Sequence, residues 1–190
     1  MLWYTARGAG LSAMLALSLA TSLGAVGSIR TRLAESRVIL QYVHRTAAAC
    51  GLALILVHVT TLVLDGKAQT GLAAALVPFA ANYRPNAVAL GSIAMYSFIL
   101  VGAMGAARGR IARSARGAVI WRWIHAVSYP AWCLAVLHGL LAGTDRGQGW
   151  VMLLTVACVL SVAVAVLVRL VSLADLPRRD GLLSTVRTIR

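Results

Sequence analysis

A chain of 190 residues with 60% hydrophobic residues, 12% charged residues and a mean hydropathy of +0.83 is too apolar for a soluble domain and reads as an integral membrane protein. The formal net charge of +13 does not point to nucleic acid, because the 17 arginines and one lysine fall mostly in short stretches between apolar runs, where basic loops meet anionic lipid. The three cysteines, Cys50, Cys133 and Cys158, lie inside apolar runs without CxxC spacing, so they read as packing residues rather than as a disulfide framework or a zinc site.

In chain order, five apolar runs predict five membrane spans, at about 9–27, 41–64, 86–107, 119–142 and 150–172, followed by a basic tail at 173–190. The first run follows Trp3, Tyr4 and Arg7 and also has the outline of a signal peptide. The charge map favours a retained span. With five spans, Arg30, Arg32 and Arg37, the group at Arg108, Arg110, Arg113 and Arg116, and the tail arginines all fall on one side. Positive-inside bias then places the N-terminus outside and the C-terminus in the cytoplasm, in the plasma (inner) membrane. Trp121 and Trp123 fall at the inner interface, and Trp3 and Trp150 at the outer one. Between the second and third spans the piece LAAALVPFA is too short to cross and is expected to cap the outer surface.

All four histidines of the chain lie within two of the spans. His44 and His58 are on the second, His125 and His138 on the fourth, and an ionisable side chain at membrane depth is a functional hypothesis by default. With this topology the two spans are parallel, and the steps of 14 and 13 residues, each about 20 Å of helix, match in depth. Two facing pairs at two levels suit two haems, each iron taking one imidazole from each helix. On ideal helices the first pair is about 40° from alignment and the second about 140°; Pro130, between His125 and His138, is a candidate to re-register the fourth span. Zinc is disfavoured because its ligands converge on one point, and interhelical hydrogen bonding remains the bland alternative. Without a CxxCH, haem would be held by ligation alone. Gly51, midway between His44 and His58, either leaves room for the macrocycle edges or helps the helices pack. Arg45 and Arg122 near the inner level, and Arg84 near the outer one, are candidate partners for haem propionates or else snorkelling interfacial arginines.

The stretches HRTAAACGLALILVH and HAVSYPAWCLAVLHG resemble the histidine-bearing spans of the ferric reductase-like transmembrane domain family, found in NADPH oxidases, ferric reductases and the haem subunit of bacterial methionine sulfoxide reductase. The resemblance covers residues 3–172 and makes 1–172 one transmembrane haem domain. It implies an all-α five-span bundle holding two stacked b-type haems, with His44 paired to His125 and His58 to His138, carrying electrons from the cytoplasmic side outward. Larger members add a cytoplasmic FAD and NAD(P)H domain, and many have six spans. This chain shows no GxGxxG motif and only 18 residues after Ser172, so no FAD or NAD(P)H site is expected in it. A cytoplasmic flavoprotein reductase or membrane quinol is then the implied donor and an extracytoplasmic redox partner the acceptor. The chain thus reads as the electron-transfer subunit of an oxidoreductase system. Two rivals stay open: a ferric iron or oxygen reductase with its own outer site, and a haem-free transporter or assembly protein, against which the scarcity of intramembrane carboxylates counts.

Overall fold

The computed structural model describes residues 1–27, 34–65 and 71–174, whose regular elements are all helices, without a strand among them. The elements in order are α1 (Leu2–Val26), α2 (Ala34–Leu64), α3 (Leu72–Leu76), α4 (Pro85–Ala106), α5 (Arg108–Ile111), α6 (Ala115–Ala126), α7 (Ser128–Ala142) and α8 (Gly149–Ala174). Five helical stretches are long and apolar enough to cross a membrane: Leu2–Val26, Arg37–Leu64, Pro85–Ala106, Ala115–Ala142 and Gly149–Ala174. The first begins seven residues earlier than the apolar run at 9–27, because Arg7 is absorbed into the helix by pairing with Asp145 in the loop before α8. Arg30, Arg32 and the tail from 175 lie outside the described residues.

The fourth span is two helices. α6 ends at Ala126, Val127 makes the turn, and α7 restarts at Ser128 with Pro130 in its first turn. Proline has no N–H to give the carbonyl four residues back and its ring crowds that turn, so the helix breaks one turn before it. Elsewhere hydroxyls inside the spans return their protons to the backbone four residues earlier, Thr21 to Leu17 and Thr155 to Val151, both at 2.8 Å, which keeps a polar group satisfied where water is absent.

α1 packs along α2, and α4 along α7, giving two hairpin-like units; α8 lies against α1. Their shared core gathers Leu17 of α1, Ala94 and Phe98 of α4, Trp132 and Val136 of α7 and Val162 of α8. Trp132 would bury an unpaired indole N–H there, and donates it to Ser18 of α1 at 2.8 Å instead. The backing helices α1 and α4 are the more buried, and the histidine-bearing α2 is largely exposed, as lipid-facing helices are. α3 does not simply lie on the surface: Ala74 and Ala75 are buried, and Ser92, two turns into α4, donates to Ala75 O at 2.9 Å.

Candidate functional site

The fold brings the four histidines together as two pairs. The rings of His44 and His125 have centroids 6.1 Å apart, and those of His58 and His138 6.4 Å apart, with planes at 64° and 80°. α2 and the α6–α7 unit therefore run parallel. The second pair meets about as closely as the first despite the 13-residue step, and the helix break at Val127 lies between its His138 and His125.

Each ring is also held from behind. His58 Nδ1 lies 2.7 Å from Ala6 O, His44 Nδ1 2.8 Å from Ala20 O, and His138 Nδ1 2.7 Å from Ala87 O. A carbonyl only accepts, so each of these nitrogens carries the ring proton and donates it, leaving the Nε2 lone pair on the far side of the ring. Each such bond is worth about 0.5–1.5 kcal/mol net, and leaving the buried N–H unpaired would cost more. His125 is held differently. Its buried Nδ1 has no hydrogen-bond partner among the described residues. Its ring stacks on Trp121, with centroids 4.8 Å apart and planes at 17°, and Trp121 is fixed in turn by its own bond to Met104 O at 3.0 Å.

This donor set fits a haem iron better than a free metal ion. Among the described residues no group of three or more His, Cys, Asp or Glu is placed to share one ion, whereas a haem supplies four ligands and asks the protein for two. A metal sits about 2 Å from an imidazole nitrogen, so two rings on opposite sides of one metal have centres roughly 6 Å apart. Both observed separations agree with that. A cavity of about 430 Å³ adjoins His58 and His138, and its wall includes Trp3, Arg7, Tyr83 and Arg146.

The arginines singled out from the sequence are placed as follows. Arg84, at the start of α4 with a left-handed backbone, donates to Leu141 O at the end of α7, where a cation also meets the negative end of the helix. Arg45 and Arg122 point to the exposed surface. Other basic side chains near the histidines are Arg7 and Arg146 in the wall of the cavity beside His58 and His138, and Arg108, whose guanidinium lies 4.9 Å over the Trp121 ring that stacks on His125. Their sequence signal was slight, since each follows from tertiary packing. Gly51 faces α1: a Cβ there would lie 2.6 Å from a Leu17 methyl, so the glycine lets the two helices pack closely at this point.

No protein-family model, no curated protein and no solved structure matches the chain.

Proposed function

We propose that the chain is a di-haem b-type transmembrane cytochrome of the ferric reductase-like kind, carrying electrons from a cytoplasmic flavoprotein or membrane quinol to an extracytoplasmic acceptor. The observation that carries this reading is the pairing of the four histidines at two depths with separations suited to one metal between each pair. A bound haem would supply one-electron redox chemistry at each level.

The protein's own part is to hold and insulate. His44 with His125, and His58 with His138, would each hold one haem iron through two imidazoles, a ligand set that favours electron transfer over binding of oxygen. The carbonyls of Ala6, Ala20 and Ala87 keep three of those imidazoles in the Nδ1–H form and make them better donors through Nε2. Leu17, Phe98 and Trp132 give the bundle an apolar core that reaches the wall of the cavity beside His58 and His138. Arg7 and Arg146 at the outer level, and Arg108 at the inner, place positive charge where propionates would need it. The arginine bias of the loops supports an outside N-terminus and a cytoplasmic C-terminus.

The test is a visible spectrum of the purified protein before and after dithionite, with haem counted per chain as the pyridine haemochrome. Two haems b with a sharp reduced alpha band are expected. A colourless protein from cells supplied with haem sinks the reading.

A further inference from the structure

Behind each histidine the neighbouring helix carries a glycine. A Cβ built on Gly91 would lie 2.7 Å from His138 Nδ1, and one on Gly10 3.0 Å from His58 Nδ1. On Gly24 it would lie 3.2 Å from His44 Cε1, and on Gly105 3.6 Å from His125 Cε1. Three of these glycines stand four residues after the carbonyl that their histidine bonds: Ala6 before Gly10, Ala20 before Gly24, Ala87 before Gly91.

That spacing has a physical cause. In a helix the Cα–Cβ bond tilts toward the N-terminus, so a side chain covers the turn before it, including the carbonyl four residues back. The carbonyl spends one lone pair on the helix's own N–H. With glycine in the covering position its second lone pair is open to a ring arriving from the next helix. The same arrangement occurs twice along the chain: Gly10, Gly24 and His44 recur 81 residues later as Gly91, Gly105 and His125, and the pair Ala13 and Met14 as Ala94 and Met95. His58 recurs as His138 at an offset of 80, the missing residue falling in the unit that breaks at Val127.

We propose that Gly10, Gly24 and Gly91 are positioning residues, each keeping one backbone carbonyl open as the acceptor for a histidine Nδ1–H, thereby fixing the tautomer and aiming Nε2 between the two hairpin-like units. The consequence for haem binding rests on the functional reading above; the effect on the imidazoles does not. Helix propensity works in the opposite direction, since glycine weakens a helix relative to alanine, so damage on replacing glycine by alanine points to the lost approach.

The experiment replaces each glycine by alanine in the full-length protein in detergent. Ring nitrogens are read by NMR on ¹⁵N-histidine-labelled protein prepared without haem, and haem content by the pyridine haemochrome. In the unaltered protein His44, His58 and His138 should show protonated Nδ1 and bare Nε2. Gly91→Ala should shift His138 toward the other tautomer and remove more than half of the outer haem. Gly10→Ala should do the same less severely at His58, and Gly24→Ala less again at His44. Gly105→Ala, whose methyl makes only ordinary contact, should change little. If Gly91→Ala fails to accumulate, Gly24→Ala and Gly10→Ala carry the test. Gly8→Ala, also in α1 but with nothing within 4 Å of the new methyl, is the control. The proposal is overturned if Gly10→Ala and Gly24→Ala leave the tautomers as they were, or if Gly8→Ala disturbs them equally. Should the unaltered protein take up no haem while the tautomers follow this order, the haem reading fails and the positioning role stands.

Discussion

The α1–α2 and α4–α7 units do the same job with different backbones. α2 is one continuous helix, and its histidines are 14 residues apart; on the other side the step is 13 residues and the helix breaks at Val127. A 13-residue step on an ideal helix would leave His138 about 140° from His125, yet the two ring pairs are almost equally spaced at 6.1 and 6.4 Å. What the two units share is therefore the pairing of each imidazole with one across the bundle and, for three of the four, the carbonyl behind it. Helix continuity is the part that varies, and Pro130 is where it varies.

The largest expected effect comes from breaking one level and sparing the other. His58→Ala or His138→Ala should leave one haem per chain, retained at the inner level, and His44→Ala or His125→Ala should leave the outer one. The pyridine haemochrome counts them, and the loss of only part of the reduced alpha band distinguishes the levels. Haem content unchanged in all four variants would refute the ligand assignment. Next in size is Pro130→Ala, which allows α6 and α7 to join. A straightened helix turns His138 away from His58, so the outer haem should fall by more than half while the inner one stays. Adding one alanine after Ala131 in that variant restores a 14-residue step and should recover most of the loss. Recovery without the insertion would mean that the break belongs to Val127 and its neighbours and not to the proline.

How much of this was legible in the sequence divides by range. The five spans and the depth-matched histidines follow from hydropathy and from spacing within single helices, and both are local properties. The break at Pro130 was legible as a site of re-registration, since proline acts on its own helix. Gly51 shows where local reasoning stops: it shares a helix with His44 and His58, and the neighbour beside it is Leu17 of α1. The glycines that meet the histidines lie on other helices, and their signal is the 81-residue offset, visible only when the two halves of the chain are laid over each other. Arg84 was placed by depth at the outer level, where its local conformation and the Leu141 carbonyl take it up. Arg7, Arg108 and Arg146 approach the site through packing between elements far apart in sequence, which no spacing rule reports.

A smaller effect is expected in the apolar core of the bundle. Trp132→Phe removes the indole N–H given to Ser18 and keeps most of the apolar volume, so a loss of about 1 kcal/mol is expected, read as a lower thermal midpoint in detergent. Ser18→Ala leaves the buried N–H without its acceptor and should cost more than Trp132→Phe does. With the two changes combined, the second should add little, because the serine then has no partner to lose. Trp132 also lines the cavity beside His58 and His138, so haem is counted in the same variants: Trp132→Phe keeps an aromatic ring in that wall and should leave two haems, and a fall would show that the indole itself is needed there.

The smallest effect sharpens the comparison at the outer ends of the two units. α1 is latched there by Arg7 to Asp145, in the loop before α8, and the position 81 residues on from Arg7 is Val88, which has no charge to pair. The corresponding end of α4 is tied instead through Arg84 to the last turn of α7. Arg7→Val makes the two backing helices alike at this point. The Arg7 and Asp145 side chains are 31% and 17% exposed, at the edge of solvent, so the pair is worth no more than about 1 kcal/mol. The loss should shrink as salt is raised, because screening weakens the pair in the unaltered protein while leaving the valine variant unaffected. A thermal midpoint series from low to high salt measures this. A salt-independent loss of several kcal/mol would show that the guanidinium is held by the cavity beside His58 and His138 and not chiefly by Asp145.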